Sequence, residues 1–132
     1  MRDIIFRGKR LDNGKWVAGS LFVGDNGECE VCHGTPRVRI TYHIDPATIG
    51  QYAGLHDKTG RMIFEGDIVH CYVNGGIYQG HSWGNQQVVF DRGAFCVVDS
   101  HGETMPLSSY APRVEIEVVG NIHDNQELLK GG

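Results

Sequence analysis

Residues 49–69, IGQYAGLHDKTGRMIFEGDIV, decide the fold. A glycine turn (Asp57-Lys58-Thr59-Gly60) leads into the apolar run Met62-Ile63-Phe64. A second corner, Glu65-Gly66-Asp67, then launches Ile68-Val69. Short β-prone runs separated by single glycine turns are the pattern of many short strands, not of helices. The rest of the chain repeats that pattern. Nineteen of its 132 residues are glycine, about twice the usual share of roughly 7%, and they stand singly between apolar runs.

Upstream, residues 4–7 (IIFR) form a strand candidate, and Asp12-Asn13-Gly14-Lys15 reads as a type I′ hairpin turn. Residues 16–23 return with apolar side chains on both faces, Trp16 and Phe22 against Val17, Leu21 and Val23, so partial cover on both sides is expected. Gly24-Asp25-Asn26-Gly27 turns into residues 28–34. In residues 36–45 Val38, Ile40, Tyr42 and Ile44 alternate with Arg37, Arg39, Thr41 and His43, which predicts a half-buried antiparallel strand. Asp45-Pro46 breaks it, and residues 47–52 are read as a short helical turn.

Downstream, strands are expected at 61–64, 68–73, 86–91, 94–98 and 114–122, with turns at Asn74-Gly75-Gly76, Asp91-Arg92-Gly93 and Ser100-His101-Gly102. That spacing indicates a small barrel or sandwich. Residues 124–130 are expected to form a terminal helical turn capped by Asp124 or Asn125 and packing Leu128 and Leu129, with Gly131-Gly132 fraying. The chain is therefore read as mainly β with few short helical turns: an N-terminal β-hairpin section over residues 1–48, then a β domain over 49–132.

Four stretches, FRGKRLDNGKWVAGSL (6–21), IDPATIGQYAGLHDKTGRMIFEGDIV (44–69), VVFDRGAF (88–95) and VEIEVVGNIHDN (114–125), resemble the YopX family of phage and prophage proteins, in the same order and over almost the whole chain. The resemblance implies a conserved protein of unknown function, cytoplasmic in the host, whose C-terminal part folds as an SH3-like barrel. It supplies no catalytic residues.

The chemistry-bearing residues are sparse. Cys29-Glu30-Val31-Cys32-His33 matches the spacing of a c-type haem attachment, and Cys29 and Cys32 have the spacing of a zinc knuckle. A second ligand pair is missing, because Cys71 and Cys96 stand alone in strand candidates, where a thiol behaves as a small hydrophobe. No cofactor is expected. The histidines at 33, 43, 56, 70, 81, 101 and 123 show no i, i+4 pair. With no catalytic constellation in view, the chain is expected not to be an enzyme.

Charge excludes a global pull toward nucleic acid: 12 Lys and Arg oppose 16 Asp and Glu. Residues 1–15 carry Arg2, Arg7, Lys9, Arg10 and Lys15 against Asp3 and Asp12, whereas 115–127 hold Glu115, Glu117, Asp124 and Glu127 and no base. Arg37 and Arg39 with Tyr42, and Tyr72, Tyr78 and Trp83, supply the stacking groups of a nucleic-acid surface. Residues 70–90 contain no Lys or Arg, so a nucleic-acid-binding module is the alternative reading rather than the first. No apolar run reaches the roughly 18 residues of a membrane span, and residues 1–10 lack a signal-peptide pattern, so a cytoplasmic protein with reduced thiols is expected.

The least bland segment is NGGIYQGHSWGNQQ (74–87): long, uncharged, and holding Ile77, Tyr78, His81 and Trp83 among glycines. Loops of this length tend to be functional or disordered, and Tyr and Trp are anchors of protein interfaces. These four residues are the candidate interaction site of an accessory protein acting through protein contacts, expected as a homo-oligomer.

Overall fold

A computed structural model describes residues 3–35, 37–99, 101–109 and 114–129. Arg2, Pro36, Ser100, Lys130 and Gly131-Gly132, which figure in the sequence reading, lie outside them. The described residues are mainly strand, with three short 3-10 turns and no α-helix among them. The chain divides into two compact units, Met1–Gly54 and Leu55–Gly132.

The first unit is built from β1 (Phe6–Lys9), β2 (Trp16–Val23), β3 (Cys29–Gly34), β4 (Arg39–Ile44) and the greater part of β5 (Gly50–His56), whose last two residues belong to the second unit, hydrogen-bonded in the order β4-β3-β2-β1-β5. The neighbours whose register is resolved (β1 with β2 and β5, β3 with β2 and β4) are antiparallel. Cross-strand partners share a face. Leu21 opposite Val31, Cys29 opposite Ile44 and Val31 opposite Tyr42 therefore project together into one small core. Gly8 lies against Ile44, where an added Cβ would sit 2.6 Å from Ile44 Cδ1. The far end of β4 returns to β1 through an Arg10–Ile44 bridge and the Leu11 N–H to His43 carbonyl bond of 3.0 Å.

Three sequence expectations are corrected here. The β1–β2 hairpin is present, but Asn13-Gly14 is not its type I′ turn: Gly14 alone of the pair has positive φ, 69°. The loop is longer, closed by the Gly14 N–H on the Arg10 carbonyl and the Lys15 N–H on Asn13 Oδ1. In β2 only Trp16 gains cover on its outer face, from Arg7 and Lys9 at 4.7 and 5.5 Å from its ring centre, while Phe22 and Val23 stay exposed. The helical turn is confined to Pro46–Thr48, started by Asp45 accepting from the Ala47 N–H. Residues 50–56 are β5 instead, because β1 offers a free edge to pair with.

In the second unit, β6 (Met62–Phe64) lies beside the end of β5, and the main sheet is β7 (Asp67–Val73), β8 (Ser82–Asp91), β9 (Ala94–Val98), β10 (Thr104–Pro106) and β11 (Val114–Asn121) in the order β10-β9-β8-β7-β11, all antiparallel. Ile63 of β6 and Ile68, Val69, Cys71, Val88 and Val97 of the main sheet are fully buried. The short strand β10 was not anticipated. The type I′ turn sits at Arg92-Gly93, a two-residue loop between β8 and β9 in which φ is 50° and 81°. Arg92 is the one non-glycine with positive φ among the described residues.

Asp57 fastens the turn after β5 to β11. Its Oδ1 accepts from Thr59 N–H, Thr59 Oγ1 and Arg61 N–H at 2.9, 2.7 and 2.9 Å, and its Oδ2 accepts from Val118 N–H at 2.9 Å. Burial pushes this carboxyl upward, but the four donors outweigh it and hold the group down at about 2. At the next corner the buried Asp67 accepts from Phe64 N–H at 2.7 Å. The tail forms a 3-10 turn at Gln126–Leu129. The Leu128 N–H is taken by the Asn125 carbonyl, while the Asn125 side chain accepts from Asn121 N–H instead of capping the turn.

Candidate functional site

The expected loop 74–87 is shorter than its composition suggests. Strand β8 begins at Ser82, which leaves residues 74–81 as the connection. Ser82 pairs with Tyr72 and Asn85 with His70, so Trp83 and Gly84 together oppose the single residue Cys71. This is a β-bulge, with Gly84 at φ 76° supplying the left-handed step that a side chain would strain. Bulges re-aim side chains, and here Trp83 is left 41% exposed within a sheet.

The loop is ordered by its own backbone. Gly80 N–H donates to the Val73 carbonyl at 2.9 Å, Val73 N–H to His81 at 2.8 Å, and His81 N–H to Tyr78 at 2.9 Å. Gly75 N–H donates to Gln79 Oε1. The His81 and Trp83 rings meet edge to face at 5.3 Å. Ile77, Tyr78, His81 and Trp83 thus come together with Val73 and Val114, a directly opposed pair on β7 and β11, around an open groove of about 660 Å³. Ile77 is 91% exposed and Tyr78 67%. Val73 and Val114 could not be assigned to this groove from spacing alone, since 41 residues separate them and only the β7–β11 register joins them.

The other face of the β7–β11 pair is polar. Glu115, next to Val114, accepts from Tyr72 OH at 2.6 Å and from Asn74 Nδ2. These two donors lower its carboxyl below the usual range, so it is ionised at neutral pH. Lys58 donates to Tyr72 OH at 2.6 Å and lies 3.4 Å from Glu117, and the hydrogen bond to Tyr72 raises its ammonium. Tyr72 is therefore spent in a polar network rather than offered as a stacking platform. His70 joins a neighbouring set, 3.1 Å from Ser82 Oγ and 3.3 Å from Asn85 Oδ1, and Asn85 Nδ2 donates to the Leu128 carbonyl at 3.0 Å. This set ties the tail to the sheet.

The cysteine motif is split by its strand. Cys29 opposes Val23 and Ile44 on the core face, whereas Cys32, three residues on, opposes Ser20 and Thr41 on the other. Cys29 is buried, and Cys32 lines a separate open groove of about 540 Å³ with Ser20, Phe22 and Glu30. His33 stacks on Tyr42 at 5.8 Å. Two sulfurs on opposite faces do not converge on one ion or one haem edge. Among the described residues no group of three or more His, Cys, Asp or Glu is placed to hold a metal ion, and no helix is long and apolar enough to cross a membrane. Tyr42 is also covered, by the Arg10 guanidinium at 4.4 Å.

The profile of the family described as YopX protein matches residues 6–130. The chain belongs to the YopX family. Two solved structures share this fold from end to end. Protein EF1440 from Enterococcus faecalis is 23% identical, with a TM-score of 0.60 over 98% of this chain and 99% of that one. Protein yopX from Bacillus subtilis is 20% identical, with a TM-score of 0.61 over 95% and 97%. At such identities the likeness concerns the fold alone. No curated protein matches the chain. The four stretches that carried the resemblance, residues 6–21, 44–69, 88–95 and 114–125, all fall within the matched span.

Proposed function

We propose that this YopX-family chain is a non-enzymatic phage or prophage accessory protein of the host cytoplasm, working through protein contacts made by the groove around Ile77, Tyr78, His81 and Trp83. One observation carries the reading: a bulge and a self-bonded loop hold apolar and aromatic side chains at 91%, 67% and 41% exposure around one concave surface. Aromatic anchors in a preformed pocket are what interface hot spots are made of. We read the second unit as an SH3-like barrel. The meander β7-β8-β9-β10, a 3-10 turn at Leu107–Ser109 and the return of β11 beside β7 support that reading.

The test is affinity capture from lysate of phage-carrying cells, with and without nuclease, comparing the wild type with an Ile77→Ser/Tyr78→Ser/Trp83→Ala variant. Protein retained by the wild type after nuclease and lost from the variant is the expected result. Retention that the variant leaves unchanged overturns the reading. Retention that disappears with nuclease does so as well, and favours nucleic acid instead.

A further inference from the structure

We propose that Ser82 is a covalent acyl-acceptor site: a serine activated by His70 that takes one acyl group from an activated ester or thioester. The proposal goes beyond the protein-contact reading and stands on other residues. His70 and Tyr72 share the face of β7 opposite to Val73. Ser82 pairs with Tyr72 and Asn85 with His70, and the bulge lies between them. Ser82 and Asn85 thereby reach the two nitrogens of one imidazole.

The hydrogen bonds of this set run in one direction. The Leu128 carbonyl only accepts, so the Asn85 group 3.0 Å from it is the amide NH2. The other end of that amide, Oδ1, is an acceptor and faces His70 Nδ1 at 3.3 Å. The ring proton therefore sits on Nδ1, and Nε2 turns its lone pair to the Ser82 hydroxyl at 3.1 Å. A hydroxyl, a base and a group that orients the base are the three parts of an activated nucleophile, and such bonds tighten when the reacting partner arrives. Ser82 Oγ also accepts from Gly84 N–H at 3.0 Å, which favours negative charge on that oxygen. His70 lies opposite Glu117 on β11, so an imidazolium formed there meets an acidic neighbour. Ser82 is exposed, which opens it to a donor in solution. The face carries Glu115 and Glu117 against Lys58, so an uncharged carbonyl approaches it more readily than an anionic phosphoryl group.

In the step, Ser82 Oγ bonds to the acyl carbon while its proton passes to His70 Nε2. The bond from that carbon to the donor's leaving oxygen or sulfur then breaks, and the leaving group takes the proton from Nε2. The products are an acyl-serine and a free alcohol or thiol, with nothing oxidised or reduced. The Gly84 N–H is bonded to Oγ itself, so this amide is not an oxyanion donor for the harder hydrolysis of the acyl-serine. The acyl group therefore stays, and Ser82 is a modification site without turnover.

The test is incubation of the whole chain with p-nitrophenyl acetate. Nitrophenolate release should stop at one equivalent per chain, intact mass should rise by a single acetyl group, and peptide mapping should place that group on Ser82. Ser82→Ala should lose it. His70→Gln keeps a polar side chain without the base and should slow acetylation on the order of 100-fold. Two changes at Asn85 separate orienting His70 from fastening the tail. Asn85→Asp and Asn85→Leu both lose the bond to Leu128, but only Asp still accepts from Nδ1, so Asn85→Asp should keep rapid acetylation and Asn85→Leu should not. Circular dichroism verifies the fold of each variant, and the wild-type map with the His70→Gln rate decides if Ser82→Ala does not fold. A wild type that takes no acetyl group overturns the proposal, as do acetyl groups placed on Lys58 or Tyr72 in preference to Ser82. Acetylation of Ser82 that His70→Gln leaves unchanged overturns it too. An Asn85→Asp chain as slow as Asn85→Leu would return the set to fastening the tail, and release continuing past one equivalent would replace an acceptor by a hydrolase.

Discussion

Residues 57–69 and residues 74–83 are neighbours in sequence and opposites in structure. The first stretch is the most distinctive run in the chain, and its distinctive residues are consumed by the fold. Asp57 satisfies four donors, Asp67 another, and Ile63, Ile68 and Val69 are buried. The second stretch reads as glycine-rich and uncharged, yet it exposes Ile77, Tyr78 and Trp83. Residue types out of the ordinary mark where the backbone needs help. Ordinary residues in an exposed place mark where surface is left over for a partner. The two regions should therefore respond oppositely to substitution, the first in stability and the second in association.

The largest effect is expected at Asp57. Asp57→Ala strips one acceptor from four donors, including the buried Val118 N–H, and should lower unfolding free energy by about 3–5 kcal/mol in urea titration. A loss under about 1 kcal/mol would show that the turn is not fastened to β11 in this way. The same group sets an acid dependence. Its folded value of about 2 lies below the ordinary 3.8, so the charged form is stabilised by folding. That contribution is fully present above pH 4 and is lost as pH falls through about 2, and integrating the shift gives roughly 2 kcal/mol. Unfolding titrations between pH 5 and 2 should show this slope in the wild type and its absence in Asp57→Asn. Equal slopes would assign acid sensitivity to other carboxylates.

What could be read from the sequence follows the same division. Strand β7, the second half of β8 and β9 were legible because Ile68-Val69, Val88-Val89 and residues 94–98 are apolar runs bounded by glycine turns, and β2 was legible end to end, whereas β10 and the first half of β8 were not. Strand β5 was not, because Gly50 and Gly54 weaken its local signal and its partner, β1, lies some forty residues upstream. The failure in β4 has another cause. Alternation reports which face could be buried, not whether anything covers it, so Val38 and Ile40 read as core and stand in solvent. The four loop residues were picked out by composition. The groove's other wall, Val73 and Val114, depends on a long-range register that no local pattern encodes.

A smaller effect tests the β8–β9 turn, which the sequence places at Asp91-Arg92-Gly93 and the structure shows there. Arg92 occupies the first φ-positive position of the β8–β9 hairpin at 50°, where Asn is tolerated better than a long side chain. Arg92→Asn should stabilise the second unit by about 0.5–1 kcal/mol, read as a rise in the urea midpoint at unchanged slope. No change, or a loss, would mean that Arg92 makes a compensating contact through its guanidinium.

The smallest expected effect on stability separates the two regions most sharply. Ile77 and Tyr78 touch mainly solvent, at 91% and 67% exposure. Ile77→Ser/Tyr78→Ser therefore removes almost no burial, and its unfolding free energy should stay within about 0.5 kcal/mol of the wild type. If these side chains instead folded back as a lid over the sheet in solution, the double change would uncover apolar core and lower stability by about 2 kcal/mol or more. Urea titration decides between these outcomes without knowledge of any partner. Retained stability together with lost association would show that two large apolar residues are kept in water for a purpose outside the fold. Lost stability would return them to the scaffold, on the same side of the comparison as Asp57.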